Sequence, residues 1–362
     1  MNRNRITRPL AALIAGGALC LVGAAFAQEP LKIGFVYVSP IGDAGWTYQH
    51  DLGRKELEKA LGAKVQTKFV ENVPEGADAE RVIREFAAGG NKLVFTTSFG
   101  YMNPTIKVAQ QFPNVMFDHA TGYKTAKNVG VYNARFYEGR YLCGIIAGKM
   151  TKTNVAGYVA AFPIPEVVQG INAFAQGMRS VNPKAEVKVI WVNSWFDPGR
   201  EREAANTLLS QGADVVTHHT DSTAVVQAAE EKGKYAFGYH SDMSKYGPKA
   251  QLTATTHQWG AFYTKTANDV LAGKWKSENI WGGLKDGMIK LAPLNPAVPK
   301  DVADLVAAAE KNIVAGKLHP FQGPLMDNAS KERVPAGKAM TDDEMQKMDF
   351  YVAGVQGSLP KK

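Results

Sequence analysis

Residues 31–38, with the sequence LKIGFVYV, are followed at once by the polar segment SPIGDAGW at residues 39–46. The first segment is a short run of β-branched, aromatic and aliphatic residues with Pro30 before it and Pro40 after it. A run of this length between such residues is typical of a buried strand. Because ligands of open α/β sheets bind beyond the carboxyl ends of the strands, the polar segment is a candidate binding region.

Strand-like and helix-like segments alternate from this point, and a second set of similar size follows the first. The predicted strands are 31–38, 65–70, 92–97 and 115–117 in the first set and 154–160, 187–192, 214–217, 235–239 and 252–256 in the second. The predicted helices are 49–61, 79–88, 104–112, 136–150, 167–181, 199–211, 222–232, 261–271 and 301–315. Such alternation predicts parallel, doubly wound sheets, and two sets predict two similar lobes.

The first 27 residues have the pattern of a secretory signal peptide. Arg3, Arg5 and Arg8 precede an apolar run at 10–21, and a small-residue AFA site ends at Ala27. The apolar run is shorter than the ~20 residues that a membrane span needs, so we expect cleavage after Ala27 rather than an N-terminal anchor.

The two cysteines bear on the same question. Cys20 lies within the predicted leader, which leaves Cys143 without an intrachain partner after cleavage. A lipid anchor at Cys20 is disfavoured because Leu19 is larger than the residue that usually precedes a lipidated cysteine. The sequence therefore predicts a soluble periplasmic protein.

Composition and missing motifs exclude several function classes. The 362 residues are 45% hydrophobic and 21% charged, as in ordinary globular proteins, and the length predicts two domains or one large one. The formal charge of +8 is scattered without a basic run, which disfavours nucleic-acid binding. Because the chain has no P-loop, no G-x-G-x-x-G turn after the first strand and no G-x-S-x-G elbow, no cofactor or nucleophile is predicted.

Aromatic and acidic residues recur directly after predicted strands in both halves of the chain. Trp46 and Trp195 each either cover the core of their own lobe or stack on a flat ligand between the lobes, and the presence of one in each half favours the shared ligand. Stacking of a base on an aromatic ring contributes ~1–3 kcal/mol. Asp43, Asp221 and Asp242 are candidate acceptors for ring or exocyclic N–H groups, although Asp221 is equally well placed to cap a helix.

Other side chains at the strand ends complete the candidate site. The predicted ligand-binding residues are Asp43, Trp46, Ser98, Phe99, His119, Phe162, Trp195, Asp221 and Asp242. Four further histidines match no metal-ligand spacing, so we place them in a polar pocket wall or on the surface and predict no metal. They are His218, His219, His240 and His257.

Short motifs occur in a fixed order along the chain. They are DAGWT at 43–47, EGRYLCG at 138–144, NSWFDP at 193–198, QGADV at 211–215, YHSD at 239–242 and GLKDG at 283–287, with GDAGWTYQH at 42–50, TSFGY at 97–101 and HATGY at 119–123. As an ordered set over nearly the whole mature chain, they resemble the basic membrane protein family, the PnrA-like purine nucleoside receptors of ABC importers. The last three resemble those of a subgroup of adenine binders.

The resemblance implies an α/β type I periplasmic-binding fold, with two Rossmann-like lobes of parallel sheet joined by a three-strand hinge. We expect one lobe from residues 31–134 and 253–281 and the other from 135–252 and 282–362, with crossovers near 132–135, 252–257 and 280–283. It also implies that Trp46 and Trp195 sandwich a purine ring and that Asp242 grips the ligand. Because His240 replaces a family acid, we expect a free base, adenine first, with a purine nucleoside as the alternative.

The role implied is capture of the purine in the periplasm and delivery to an ABC permease, by a monomer without catalytic activity. A rival class is a periplasmic enzyme acting on a purine or a sugar. Cleavage of a glycosidic bond needs a nucleophile or paired acids at a fixed geometry, and no motif in the sequence fixes one. A ligand-domain repressor is disfavoured by the export signal and by the lack of a helix-turn-helix.

Overall fold

The computed structural model describes residue 1 and residues 29–360, so most of the predicted signal peptide, including Cys20, lies outside the described residues. The strands are β1 (Leu31–Val36), β2 (Val65–Val70), β3 (Leu93–Thr96), β4 (Met116–Ala120), β5 (Val129–Ala134), β6 (Val155–Ala160), β7 (Glu186–Trp191), β8 (Val215–His219), β9 (Tyr235–His240), β10 (Gln251–His257), β11 (Asn279–Gly282), β12 (Ile289–Leu291), β13 (Leu325–Met326) and β14 (Glu332–Val334). The helices are α1 (Trp46–Leu61), α2 (Ala77–Ala88), α3 (Met102–Gln111), α4 (Phe136–Met150), α5 (Pro165–Val181), α6 (Pro198–Ser210), α7 (Ala224–Glu231), α8 (Gly260–Leu271), α9 (Lys300–Val314) and α10 (Asp342–Gln346). Among residues 29–360, no helix combines the length and hydrophobicity that a bilayer crossing needs.

Two six-stranded sheets form the centres of two lobes. The first has the order β11-β5-β4-β3-β1-β2, and all its neighbouring strands are parallel. The second has the order β12-β10-β9-β8-β6-β7, in which only β12 runs antiparallel to its neighbour. The predicted α/β architecture with two parallel-sheet lobes is confirmed.

Helices cover both faces of the first sheet because β1 is apolar on both sides, as expected for a strand buried in a parallel sheet. Phe35 lies 5.2 Å, centroid to centroid, from Tyr263 of α8 on one face. On the other face Gly34 lies against Phe86 of α2, where a Cβ would approach the ring to 2.7 Å. This packing fixes the position of β1, whose carboxyl end lies at the cleft between the two lobes.

The EGRYLCG motif at 138–144 serves helix packing. Its two glycines lie on α4, which packs closely against α5 and β10. A Cβ on Gly144 would lie 2.2 Å from the carbonyl oxygen of Phe174, and one on Gly139 would lie 2.5 Å from Thr255 Cγ2. Small residues at these positions let α4 approach α5 and β10 closely.

The chain crosses between the two sheets three times. It crosses at Arg135 between β5 and α4, at 258–259 between β10 and α8, and at 283–288 between β11 and β12. The structure differs here from the expected boundary at 252/253, because β10 pairs with β9 and so belongs to the second sheet up to His257. The rest of the division into lobes stays a prediction.

Most predicted segments match an observed element within a few residues, but several elements differ from the prediction. Helix α1 begins at Trp46, three residues before the predicted start, and β8 extends to His219. Strands β5, β11 and β12 have no counterpart among the predicted strands. The C-terminal segment adds β13, β14 and α10, and Asp342 of α10 accepts two 2.7 Å hydrogen bonds from the guanidinium of Arg135 at the first crossing.

Candidate functional site

A narrow cavity of about 320 Å³ lies between the two lobes, at the carboxyl ends of their strands. The first lobe contributes Val38, Trp46, Ser98, Phe99 and Thr121, and the second contributes Ile164, Glu166, Trp195, His219, Asp221 and His240. This volume includes space that is open to solvent, so the part enclosed between the lobes is much smaller. The narrow gap favours a flat ligand over a bulky one.

Five of the nine predicted site residues line this cavity. They are Trp46, Ser98, Phe99, Trp195 and Asp221. A sixth, Phe162, lies behind the cavity wall, where its ring meets that of Trp195 nearly edge-on at a centroid distance of 4.9 Å. The structure thus brings together both predicted tryptophans, one from each lobe.

Trp46 is the first residue of α1 rather than part of a loop. It is only 7% exposed, and its Nε1 donates a 2.7 Å hydrogen bond to the carbonyl oxygen of Thr97. Its ring packs edge-on against the rings of His50 and His257, at centroid distances of 4.3 and 5.4 Å. Trp46 therefore covers the core of its own lobe and also lines the cavity, while its stacking on a ligand stays a prediction.

Trp195 is partly exposed and lies in the loop after β7. Its carbonyl oxygen accepts a 2.9 Å hydrogen bond from the Asp221 amide, which fixes this loop against the end of β8. Its Nε1 donates to Glu75 Oε1 of the first lobe at 3.1 Å. The Trp195 residue is thus held by contacts from both lobes, and its ring lines the cavity between them.

Asp221 is not a helix cap. The N-cap position of α7 is Thr223, whose side chain makes no capping hydrogen bond, and Asp221 Oδ2 instead accepts a 3.0 Å hydrogen bond across the cleft from Ser39 Oγ. Its Oδ1 lies 3.4 Å from Nε2 of His240. Burial, followed by the nearby carboxyl of Glu201, raises the pKa of Asp221 well above its usual value.

Asp43, His119 and Asp242 do not line the cavity. Asp43 is exposed in the turn before α1 and forms a 3.2 Å ion pair with Lys245. Asp242 is also exposed, and its Oδ1 accepts a 2.7 Å hydrogen bond from Gln251. The chain turns out of the sheet at His240, where φ is +67°, and the following residues leave the cavity.

His119 is fully buried beneath the cleft. Its Nδ1 lies 3.0 Å from Thr96 Oγ1, and burial lowers its pKa to about 3. A Cβ on Gly122 would approach its ring to 2.2 Å, so the HATG turn is packed onto the histidine. The role of His119 visible here is to support that turn.

Four polar cavity residues were absent from the predicted site, namely Thr121, Glu166, His219 and His240. Glu166 lies in the first turn of α5, and His219 and His240 are the last residues of β8 and β9. The sequence could have predicted the two histidines as site residues, because both lie at the carboxyl ends of neighbouring strands, where such sheets bind ligands. Within residues 29–360, no group of three or more His, Cys, Asp or Glu side chains is arranged to hold a metal ion.

Burial shifts the titratable groups of the polar lining towards their neutral forms. Burial raises the pKa of Glu166 to about 8, although Asn133 Nδ2 donates to its Oε2 at 3.3 Å. Burial, and then the charge of Arg140, lowers the pKa of His219. Burial followed by the proximity of His257 does the same for His240. Neutral acids and imidazoles offer both hydrogen-bond donors and acceptors, which suits an uncharged heterocycle.

Comparison with known proteins identifies the family. Residues 31–317 match the family of ABC transporter substrate-binding proteins described as PnrA-like. A purine-binding protein of Brucella abortus (strain 2308) is 56% identical over 97% of this chain and 99% of its own length. A Haloferax volcanii protein, named as a candidate ABC transporter glucose-binding protein, is 40% identical over 92% of this chain and 82% of its own length.

A solved structure shares the fold. An ABC transporter solute-binding protein of Aeropyrum pernix K1 superposes with a TM-score of 0.71 at 20% identity, covering 80% of this chain and 93% of its own. At that identity the likeness shows the type I periplasmic-binding fold alone. Taken with the family match over residues 31–317, the chain belongs to the PnrA-like family of ABC transporter substrate-binding proteins.

Proposed function

We propose that this protein is the periplasmic purine-binding component of an ABC importer and that its ligand is a free purine base, adenine first. The observation that carries the proposal is the position of the two indoles. Trp46 from one lobe and Trp195 from the other line one narrow cavity, in which a flat ring can contact both. The name of the Brucella relative supports the same ligand class.

A free base suits both the narrowness and the polarity of the cavity. A purine base has about ten heavy atoms, and at the ceiling of about −1.5 kcal/mol per atom it can bind well below micromolar. We propose that the polar edge of the base forms hydrogen bonds with four side chains whose neutral forms both donate and accept. They are Glu166, His219, Asp221 and His240. Leaving one such buried group unpaired costs ~1–3 kcal/mol, which gives the site its selectivity.

A ribose has weaker support than the base. Asp242, the acid expected to grip a ligand, is exposed and hydrogen-bonded to Gln251, and Asp43 is paired with Lys245. The acids that do line the cavity, Glu166 and Asp221, lie beside the histidines of the polar edge. The purine nucleoside remains the alternative ligand, to be separated by direct competition.

Competition calorimetry with adenine, adenosine, guanosine and glucose tests the ligand. Adenine is expected to bind most tightly. If adenosine or guanosine binds tenfold more tightly than adenine, the ligand is a purine but not a free base. Tight glucose binding would contradict both the free base and the purine as ligand. Analysis of products after incubation with adenosine tests the proposed absence of catalysis, since released adenine would contradict it.

The proposed partner is an inner-membrane ABC permease, which would receive the ligand from a monomeric, periplasmic form produced by cleavage after Ala27. The family assignment supports the permease, because substrate-binding proteins of ABC transporters deliver ligand to one. Cell fractionation and N-terminal sequencing of the exported protein test the location and the cleavage site together.

Adenine affinity is expected to fall by up to tenfold between pH 7 and pH 8. The closed cavity raises the pKa of Glu166 to about 8, whereas in an open form water restores it towards its usual value. The closed state therefore holds a proton that is lost as pH rises through 8, and binding weakens with it. The raised pKa of Asp221 also weakens binding as pH rises. The lowered pKa values of His219 and His240 place their titration below this range.

Glu166→Gln keeps the neutral shape of the side chain, so its affinity is expected to change less over the same range. Calorimetry at pH 7 and pH 8 on both proteins measures the difference. Equal pH dependence in the wild type and the variant would contradict a protonated Glu166 in the bound state.

A further inference from the structure

Glu75 lies in the loop between β2 and α2, outside the cavity lining, and one of its oxygens accepts three hydrogen bonds. Two donors belong to the same lobe, namely Ser98 Oγ at 2.6 Å and the Gly100 amide at 2.9 Å. The third is Trp195 Nε1 of the other lobe, at 3.1 Å. A single carboxylate thus joins the first lobe to the aromatic ring that the second lobe places over the cavity.

The Glu75 carboxylate is fixed by contacts within its own lobe. Its loop is tied to β1 by a 3.0 Å hydrogen bond from the Val73 amide to the carbonyl oxygen of Tyr37. A 2.5 Å hydrogen bond from the Tyr101 hydroxyl to the Val73 carbonyl oxygen adds a second link. Position 100 must be small, since a Cβ there would lie 2.3 Å from Glu75 Cδ. The position of the acceptor is therefore set by contacts within the first lobe.

The ring of Trp195 is supported from its own lobe as well. Phe162 packs nearly edge-on against it at 4.9 Å, and the Asp221 amide holds its backbone. Neither contact is a hydrogen bond to the ring, and among the described residues the indole N–H donates to Glu75. Hydrogen bonding of the indole N–H to a carboxylate is charge-assisted, and it fixes the direction of the ring in the closed state.

We propose that Glu75 is a positioning residue. Its carboxylate accepts a hydrogen bond from the indole N–H of Trp195 as the lobes close, and this bond holds the ring over the bound ligand. It therefore controls how long the ligand stays bound more than how fast it arrives. The inference rests on the proposed function, because adenine is the ligand whose dissociation reports on it.

Glu75→Gln is expected to raise the adenine dissociation rate about tenfold, with association nearly unchanged. The matched control is Glu71→Gln in the same loop. Glu71 accepts a 2.6 Å hydrogen bond from the Ile41 amide within the first lobe, whereas the indole N–H of Trp195 donates to Glu75. The measurement is a chase of labelled adenine, with urea unfolding midpoints showing that both variants are folded.

A double-mutant cycle with Trp195→Phe isolates the proposed contact. Phenylalanine keeps an aromatic ring but has no N–H, so adding Glu75→Gln to Trp195→Phe is expected to change the dissociation rate less than twofold. Additive effects, or a rate for Glu75→Gln equal to that of Glu71→Gln, would overturn the role of Glu75 alone. Failure of the wild type to bind any purine would overturn the proposed function and this inference with it.

Discussion

Replacing Gly45 with alanine is expected to weaken adenine binding roughly 100-fold, because the added Cβ would prevent the lobes from closing. A Cβ at Gly45 would lie 2.1 Å from the carbonyl oxygen of Asp221 in the other lobe. The Gly45 amide also donates a 2.8 Å hydrogen bond across the cleft to Ser241 Oγ. Overpacking of a close contact typically costs ~1–3 kcal/mol, which corresponds to a factor of roughly 5–150 in affinity.

Gly76→Ala is a matched control for backbone strain. Gly76 precedes α2 as Gly45 precedes α1, and their φ angles are +94° and +98°. A Cβ on Gly76 would meet nothing within 4 Å, so it adds strain without a collision between the lobes. Both variants are expected to lose similar stability, but only Gly45→Ala loses binding and stays extended in small-angle scattering with adenine. Equal adenine affinities for the two variants would contradict this closed arrangement.

Trp46→Ala is expected to lower the free energy of unfolding by about 3–5 kcal/mol and to weaken adenine binding as well. The loss of stability follows from the burial of the ring in the core, where large-to-small changes of this kind have that magnitude. The loss of binding, a factor of roughly 5–150, follows from the removal of one stacking face. Urea unfolding and calorimetry measure the two effects separately.

Trp195→Ala is the comparison variant for Trp46→Ala. Its ring is partly exposed, so the same loss of binding is expected with a much smaller change in unfolding free energy. If both variants bind adenine normally, the stacking of a purine between the two rings is wrong. If Trp46→Ala is as stable as the wild type, the structural role given to Trp46 is wrong.

The fold was largely predictable because most strands are dense apolar runs. The apolar sequence VAGYVA places β6 to within one residue, and the glycine-rich α4 could be delimited to the residue. Strand β5 was missed because VGVYNA contains Gly and Asn, which are depleted in strands. It forms because its neighbours supply partners, such as the carbonyl oxygen of Glu278 for the Val131 amide.

The site was predictable where a single residue, such as a tryptophan directly after a strand, indicates a ligand contact by its type and position. Two tryptophans after strands of different lobes marked the cavity. Glu166 gave no comparable signal, because a glutamate in the first turn of a helix is ordinarily a favourable surface residue. Asp43 and Asp242 lie near the site in sequence but not in the cavity, since the direction of a side chain after a strand end depends on the turn that follows.

Glu75 shows the limit of local sequence patterns most clearly. Its partner Trp195 lies 120 residues away, and the contact exists only because the two lobes meet. The neighbouring sequence of Glu75 is that of an ordinary loop before a helix. Only the closed arrangement shows that this carboxylate faces an indole N–H.

A crystal structure of the protein grown with adenine tests the central claim most directly. The account predicts electron density for one purine ring in the cavity, in contact with the rings of both Trp46 and Trp195 and with its edge towards Asp221 and His240. A purine bound elsewhere, or a closed protein whose cavity holds a different class of ligand in the presence of saturating adenine, would contradict it.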